Sequence, residues 1–409
     1  MKKVAISGLG VISAAGQGIS ETLETFSSGR RNGGRVSLFP TALSYPVFEV
    51  KKIPAQWHKE GMRTLSLALC AVNGALRDAG LPDDLSRLKV GVCLGTTVAS
   101  QLNDLDFYRA YRKTGKAPME PVNRFLEGNL AEAVAHAFKV QGPSLTVVNA
   151  CSSGADAIGA ALSWLRNGIC DIAIAGGADE LNRVPLCGFG SLGIMSESFC
   201  APFDRERSGL NLGEGAGVLI LESDEICRQR GKTPIGYLAG YGIAADAYHL
   251  TAPHPEGKGL EAALRKALAE AGITPDEVCF VNAHGTATPD NDKVEGTLLA
   301  RIFGPDIKVL STKGYTGHTL GAAGGLEAAF TVAALREEWI PASIGFVHQD
   351  SEIPLAPVTE KTPTEKGYGV STSLAFGGNN TALVFASAFS HRYKSRTSPP
   401  ISHKDRSTV

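Results

Sequence analysis

No two of the eight cysteines in this 409-residue chain form a C-x-x-C pair, which removes the common zinc and redox-motif readings. Scattered through apolar contexts, they read as reduced thiols of a cytoplasmic protein rather than as a disulfide framework. Charge of one sign is also missing. The net charge is −1, so neither nucleic acid nor a membrane surface is expected as the main partner. No run of about 18 apolar residues occurs, so no membrane-spanning helix is expected. The opening MKKVAISGLGVIS has the outline of a signal peptide, but Gly8 and Gly10 break its apolar core, and it reads as a first buried strand. Low complexity is absent too. The 47 glycines cluster in short motifs, the pattern of tight turns and close backbone approach.

What is present is an ordinary globular composition, 43% apolar and 20% charged, over a length that suits two domain-sized units or one duplicated fold. Short apolar runs read as buried strands at 4–7, 89–94, 145–148, 172–175 and 218–221, then at 235–239, 278–282, 307–310, 368–371 and 382–385. Helical patterns lie between them at 64–78, 129–138, 155–166, 259–271 and 322–337. This alternation predicts an α/β fold with buried, largely parallel sheets. The chain also echoes itself. Cys151 is followed by SSGADAIGAALSWLRNG, and His318 by TLGAAGGLEAAFTVAALREE. Each is a strand, a reactive residue and a Gly/Ala-rich helix, which predicts duplication with a site where the halves meet. The expected units are residues 1–232 and 233–388, divided within Glu225–Thr233, with a polar, basic and disordered tail at 389–409.

Cys151 ends the β-branched run Leu145-Thr146-Val147-Val148 and opens the small-residue helix. That places its sulfur at a helix N-terminus, where the macrodipole favours thiolate. The other cysteines read as small buried hydrophobes. Of nine histidines, His284 and His318 share this placement after a strand. One Cys with two His lacks the fourth ligand and the spacing of a metal site. A hydrolase triad wants one His and an orienting acid. Two neutral imidazoles suit a developing enolate oxygen, and with a Cys they suit acyl-thioester chemistry that has a carbanion step.

Further candidates surround these three. Glu327, an acid within an apolar helix, needs a partner, and Lys313 is the obvious one. Lys313 also stands where it can set the electrostatics of the His pair. Thr286 and Thr288 follow His284 and can bond an amide-rich ligand arm or simply form the turn. The segment Phe376-Gly377-Gly378 follows another strand. It reads either as a hairpin turn or as a mobile turn whose backbone N–H completes an oxyanion hole with that of Cys151.

Six segments in order, VNACSSGADAIGAA, FDRERSGLNLGEGAGVLILE, DAYHLTAPHPEG, NAHGTATPDNDKVEGT, STKGYTGHTLGAAGGLEAA and FGGNN, resemble the elongating β-ketoacyl-[acyl-carrier-protein] synthases, nearest synthase II, of the thiolase superfamily. The resemblance runs to about residue 387. It implies a five-layer αβαβα sandwich of two similar halves, built as a dimer. Cys151 is then the acyl-accepting nucleophile, His284 and His318 the pair that supports malonyl decarboxylation, and Lys313 and Glu327 their supports. Phe376 is the gating aromatic, whose N–H and that of Cys151 form the oxyanion hole. Thr286, Thr288, Gly377 and Gly378 join Phe376 at the substrate. No permanently bound cofactor is implied, since substrates arrive on the phosphopantetheine arm of acyl carrier protein. Cys–His–His sets the chain apart from the initiating synthases, with Cys–His–Asn, and from degradative thiolases, with a second Cys as base. Two features depart from the family pattern: Gly33–Pro54, and Ala375 and Asn379 where G-F-G-G-T-N is usual. Such departures suit a specialised polyketide or polyene synthase as well as a fatty-acid one. Some of those pair with an inactive chain-length-factor subunit. A non-catalytic subunit of that kind is the alternative reading, and those usually lack the Cys.

Overall fold

The computed structural model describes residues 2–97, 105–126 and 129–388; the expected tail at 389–409 lies outside them. The first half runs β1 (Val4–Ser13), α1 (Arg63–Ala79), β2 (Val90–Gly95), α2 (Leu130–Ala137), β3 (Ser144–Val147), α3 (Ser153–Arg166), β4 (Ile172–Asp179), α4 (Arg183–Ser191) and β5 (Gly215–Ser223). The second runs β6 (Gly236–Ala245), α5 (Lys258–Ala271), β7 (Val278–Asn282), α6 (Pro289–Phe303), β8 (Lys308–Leu310), α7 (Ala323–Glu337), β9 (Tyr368–Ala375) and β10 (Asn379–Ser387). Every expected strand and helix is present. Helices 183–191 and 289–303 carry no clear sequence signal: the first contains Pro185, Gly188 and Gly190, and the second opens on the polar run PDNDK. The first is started instead by Asn182, whose side chain accepts from the Val184 N–H at 3.1 Å.

The strands follow one another across the sheet as β3-β2-β4-β5-β1-β6-β10-β9-β7-β8. Numbered by chain order within each half, both halves read 3-2-4-5-1 from the outer edge inward, so the duplication lies in the topology itself. They join where Val4, Ala5 and Ile6 of β1 pair with Leu238, Tyr237 and Gly236 of β6. The expectation of largely parallel pairing is corrected. Pairs β3/β2, β2/β4, β9/β7 and β7/β8 are parallel, but β4/β5, β5/β1, β1/β6, β6/β10 and β10/β9 are antiparallel. Continuous apolar runs report burial on both faces, not strand direction.

That two-sided burial divides the molecule into layers. Val218 and Ile220 of β5 face α1 and α2, while Leu219 and Leu221 face the centre. In β10, Leu383 and Phe385 face the centre, and Ala382 and Val384 face α5 and α6. Helices α3 and α7 fill the middle, giving the αβαβα order. Their small residues allow them to touch. A Cβ on Gly154 would lie 2.7 Å from the Gly321 carbonyl, and one on Gly324 2.6 Å from the Ala155 nitrogen. The Gly/Ala stretches therefore bring together the starts of the two central helices, and with them Cys151 and His318. Among the described residues, no helix is long and apolar enough to cross a membrane.

Candidate active site

Cys151 follows β3 at a strained turn. Ala150 before it has φ +49°, a left-handed conformation that a residue with a Cβ holds only when its surroundings impose it. Here the Asn149 N–H donates to Ser153 Oγ at 2.7 Å and the Ser153 N–H to the Ala150 carbonyl at 3.2 Å. The thiol reaches a cavity of about 410 Å³ also lined by His284, His318, Thr286, Thr288 and Phe376.

His318 Nε2 lies 3.1 Å from Cys151 Sγ. The two imidazole rings stand 5.2 Å apart, nearly perpendicular at 88°. Lys313 sits behind them. Its Nζ is 3.3 Å from His284 Nδ1, donates to the His284 carbonyl at 2.5 Å, and pairs with Glu327. An ammonium only donates, so His284 Nδ1 accepts and Nε2 carries the proton toward the cavity. Both members of the Lys313–Glu327 pair are 2% exposed at their side chains. Neither lines the cavity; the pair meets it only through His284.

Burial sets the protonation states. It pushes both imidazoles well below their usual range, and the Lys313 ammonium pushes the same way. Burial also pushes the Cys151 thiol up to about 12, against the opposing pull of Lys313 and of the Phe376 N–H, which donates to the sulfur. Burial therefore works against the expected helix-terminal thiolate. A helix N-terminus stabilises an anion by about 0.3–1 kcal/mol, less than the cost of burying one. Burial thus favours a neutral thiol beside a neutral imidazole. Glu327 is pushed up by burial to about 7, with Lys313 opposing.

At the mouth, the hydroxyls of Thr286 and Thr288 lie 2.8 Å apart. One donates to the other, which leaves a hydroxyl proton for a ligand. The Phe376 ring stacks on Phe189 of α4 at 5.4 Å and 19°, and Phe189 meets the His318 ring edge-on at 6.5 Å. Gly377 and Gly378 do not line the cavity. With φ of +87° and +81° they form the β9–β10 turn. The Gly377 N–H donates to the Leu250 carbonyl, and the Gly378 carbonyl accepts from the Asp246 N–H, both at 2.8 Å.

Three contributors were given no role from the sequence, although Glu295 lies within the segment NAHGTATPDNDKVEGT. Glu295 accepts from the His284 and Gly285 N–H groups, each at 2.8 Å, and from the Thr372 hydroxyl at 2.6 Å, which fixes the His284 turn. Asp179 accepts from the Thr96 hydroxyl and the Gly321 N–H at 2.7 Å, tying β4 to the start of the His318 helix segment. Phe189 covers His318. For the two acids, a carboxylate within an otherwise buried segment is a signal that could have found them.

Comparison with known proteins agrees with this geometry. Residues 1–226 match the β-ketoacyl synthase N-terminal domain and 235–347 its C-terminal domain. The 3-oxoacyl-[acyl-carrier-protein] synthase 2 of Staphylococcus aureus is 33% identical over 94% of this chain and 98% of its own. Among solved structures, a β-ketoacyl synthase from Burkholderia phymatum superposes with a TM-score of 0.87 at 30% identity, covering 95% of this chain and 100% of its own. The ishigamide ketosynthase/chain length factor gives 0.89 at 30% identity, over 94% and 99%. A ketosynthase in complex with its chain length factor, from Xenorhabdus doucetiae, gives 0.80 at 30%, over 94% and 98%. In sequence, in topology and in the folds it superposes on, the chain belongs to the β-ketoacyl synthase family.

Proposed function

We propose that this enzyme catalyses the decarboxylative Claisen condensation of an acyl group, held on Cys151, with malonyl-[acyl-carrier-protein], giving 3-oxoacyl-[acyl-carrier-protein] and CO₂. The observation that carries this is one sulfur with His318 Nε2 at 3.1 Å, a second neutral imidazole 5.2 Å from the first and a backbone N–H on the sulfur. In the first half-reaction His318 takes the thiol proton, and Cys151 attacks the incoming thioester. The acyl oxygen is held by the N–H groups of Phe376 and Cys151, and the carrier thiol leaves with a proton. In the second, malonyl thioester enters between Thr286 and Thr288. As CO₂ leaves, the enolate oxygen takes a hydrogen bond from His284 Nε2, a donor worth about 10²–10³ in rate at a pre-organised site, while His318, its proton gone with the carrier thiol, stays neutral beside the acyl-Cys. The carbanion attacks the acyl-Cys carbonyl and expels the Cys151 thiolate, which takes a proton from solvent to restore the thiol. Burying His284 and His318 keeps them neutral, so that His284 donates to the enolate as an imidazole and His318 is free to take the thiol proton.

Incubation with a panel of acyl carrier proteins and malonyl carrier protein, read by intact mass, tests this reading and reports the preferred chain. The expected product is heavier than the acyl carrier by two carbons and one oxygen, formed with one CO₂ per turnover. No condensation with any chain would support a non-catalytic subunit instead.

The reading includes a dimer. Strand β3 is an edge strand, and Leu145 and Val148 beside its unpaired backbone are 40% and 63% exposed. An exposed apolar edge is a ready template for another strand. The partner there is a second copy or a related chain-length-factor subunit, since the intact Cys151 and both histidines suit the catalytic member of either pair. Light scattering should give twice the chain mass, and Leu145→Asp should halve it; a monomer at micromolar concentration would favour the heterologous partner. The reading also includes the cytoplasm: all eight cysteines are unpaired, as a reducing compartment keeps them.

A further inference from the structure

Asp156 lies five residues past the nucleophile in the first turn of α3 and is 5% exposed. The mechanism above gives it no task. Its carboxylate is met by neutral donors from three directions. Asn149 Nδ2 and Ser152 Oγ approach Oδ2 at 2.6 and 2.8 Å, and Thr381 Oγ1 of β10 and the Tyr241 hydroxyl of β6 approach Oδ1 at 2.5 and 3.2 Å. Such a cage satisfies a buried charge, but simple packing in the same space would need none.

The direction of these bonds matters. A carboxylate only accepts, so Asn149 must turn its NH₂ inward and its Oδ1 outward. That Oδ1 stands 2.6 Å from Asn379 Nδ2, which therefore donates. Asn379 is three residues past Phe376, on the turn whose backbone N–H meets the Cys151 sulfur. A relay of fixed polarity thus runs from Asp156 through Asn149 to Asn379. It joins the strained turn at Ala150 to the turn that carries the Phe376 gate. We propose that Asp156 is a positioning residue: as an acceptor-only group it orients Asn149, and through the Asn149–Asn379 bond it couples the placement of Cys151 to the closed position of Phe376. An Asn at 156 could reverse the amide of Asn149 and set two NH₂ groups against each other at Asn379.

The inference rests on Cys151 being the nucleophile, and a double-mutant cycle on Asp156→Asn and Asn379→Ala separates the two claims. Two readouts are the rate of Cys151 alkylation by iodoacetamide, with buried Cys93 as internal control, and the split of condensation into kcat and KM. Each single variant is expected to raise Cys151 labelling and lower kcat by about fivefold, the scale of one hydrogen bond, with KM unchanged and Cys93 still protected. The double variant should match Asp156→Asn alone, because both act on one relay. Effects that multiply, or an Asp156→Asn enzyme within twofold of wild type on both readouts, would overturn the relay. Should Asp156→Asn expose Cys93, and so fail to fold, the cycle is run on Asn149→Ala and Asn379→Ala, where multiplying effects overturn it equally. A wild-type protein that leaves Cys151 unlabelled contradicts the nucleophile assignment instead.

Discussion

His318 Nε2 stands 3.1 Å from Cys151 Sγ although 167 residues separate them in the chain. They meet because α3 and α7 occupy equivalent places in two halves of the same topology, and because glycines let the two helices touch. A larger residue at Gly154 or Gly324 would push Cys151 and His318 apart.

Stability should fall as acid is added, in part because of the two histidines. An unfolded histidine titrates near 6.5, and burial holds His284 and His318 well below that. Their contribution is fully present above about pH 6.5 and is lost as pH falls through their folded values, with a slope of up to about 1.4 kcal/mol per pH unit for each. Glu327, raised from 4.5 to about 7, acts in the opposite sense: its contribution is present below 4.5 and fades as pH rises through 7. Denaturation midpoints between pH 5 and 8 should therefore show a flatter acid limb in His284→Gln/His318→Gln than in wild type. Equal limbs would mean the rings are not held neutral.

The buried Lys313–Glu327 pair should be costly to break and easy to replace. Lys313→Ala is expected to lose about 3–5 kcal/mol by stranding Glu327, while Lys313→Met/Glu327→Leu should recover most of that. Neither should condense, since both release His284 Nδ1. Chemical denaturation beside a condensation assay checks this; recovery of activity with stability would show that Lys313 has no part in the reaction.

The two half-reactions should separate by residue. Cys151→Ala should abolish condensation yet still release CO₂ from malonyl carrier protein. His284→Ala should accept an acyl group on Cys151 yet lose about 10²–10³ in decarboxylation. Labelled CO₂ release measures the second, and intact mass the first. Retention of condensation in Cys151→Ala would sink the assignment.

Much of this site was legible in the sequence because chemistry-bearing residues sat where strand patterns stopped. Cys151, His284 and His318 each follow such a stop, and the Gly/Ala runs after two of them marked the central helices. Lys313 and Glu327 were found by asking how an acid in an apolar helix could be satisfied. Strand direction was not legible, since a doubly buried strand shows the same apolar run in either pairing. The burial that opposes a thiolate at Cys151 was not legible either, since a helix N-terminus is visible in sequence and the depth of burial is not. Phe189, Glu295 and Asp179 act across the fold; a buried acid asks for a partner, but nothing local names which one.

The aromatic pair at the mouth should govern access. Stacking of Phe376 on Phe189 is worth about 0.5–1.5 kcal/mol, so Phe189→Ala should raise the rate at which a bulky maleimide labels Cys151 by about two- to tenfold. An unchanged rate would mean that Phe376 does not close over the sulfur.

The central claim is tested most directly by a single turnover followed by mass spectrometry of the Cys151 peptide. Acyl carrier protein alone should leave one acyl group on Cys151 and on none of the other seven cysteines. Addition of malonyl carrier protein should then clear it as 3-oxoacyl product appears at the same rate. An acyl group on another cysteine, or product formed while the Cys151 adduct persists, would contradict the account.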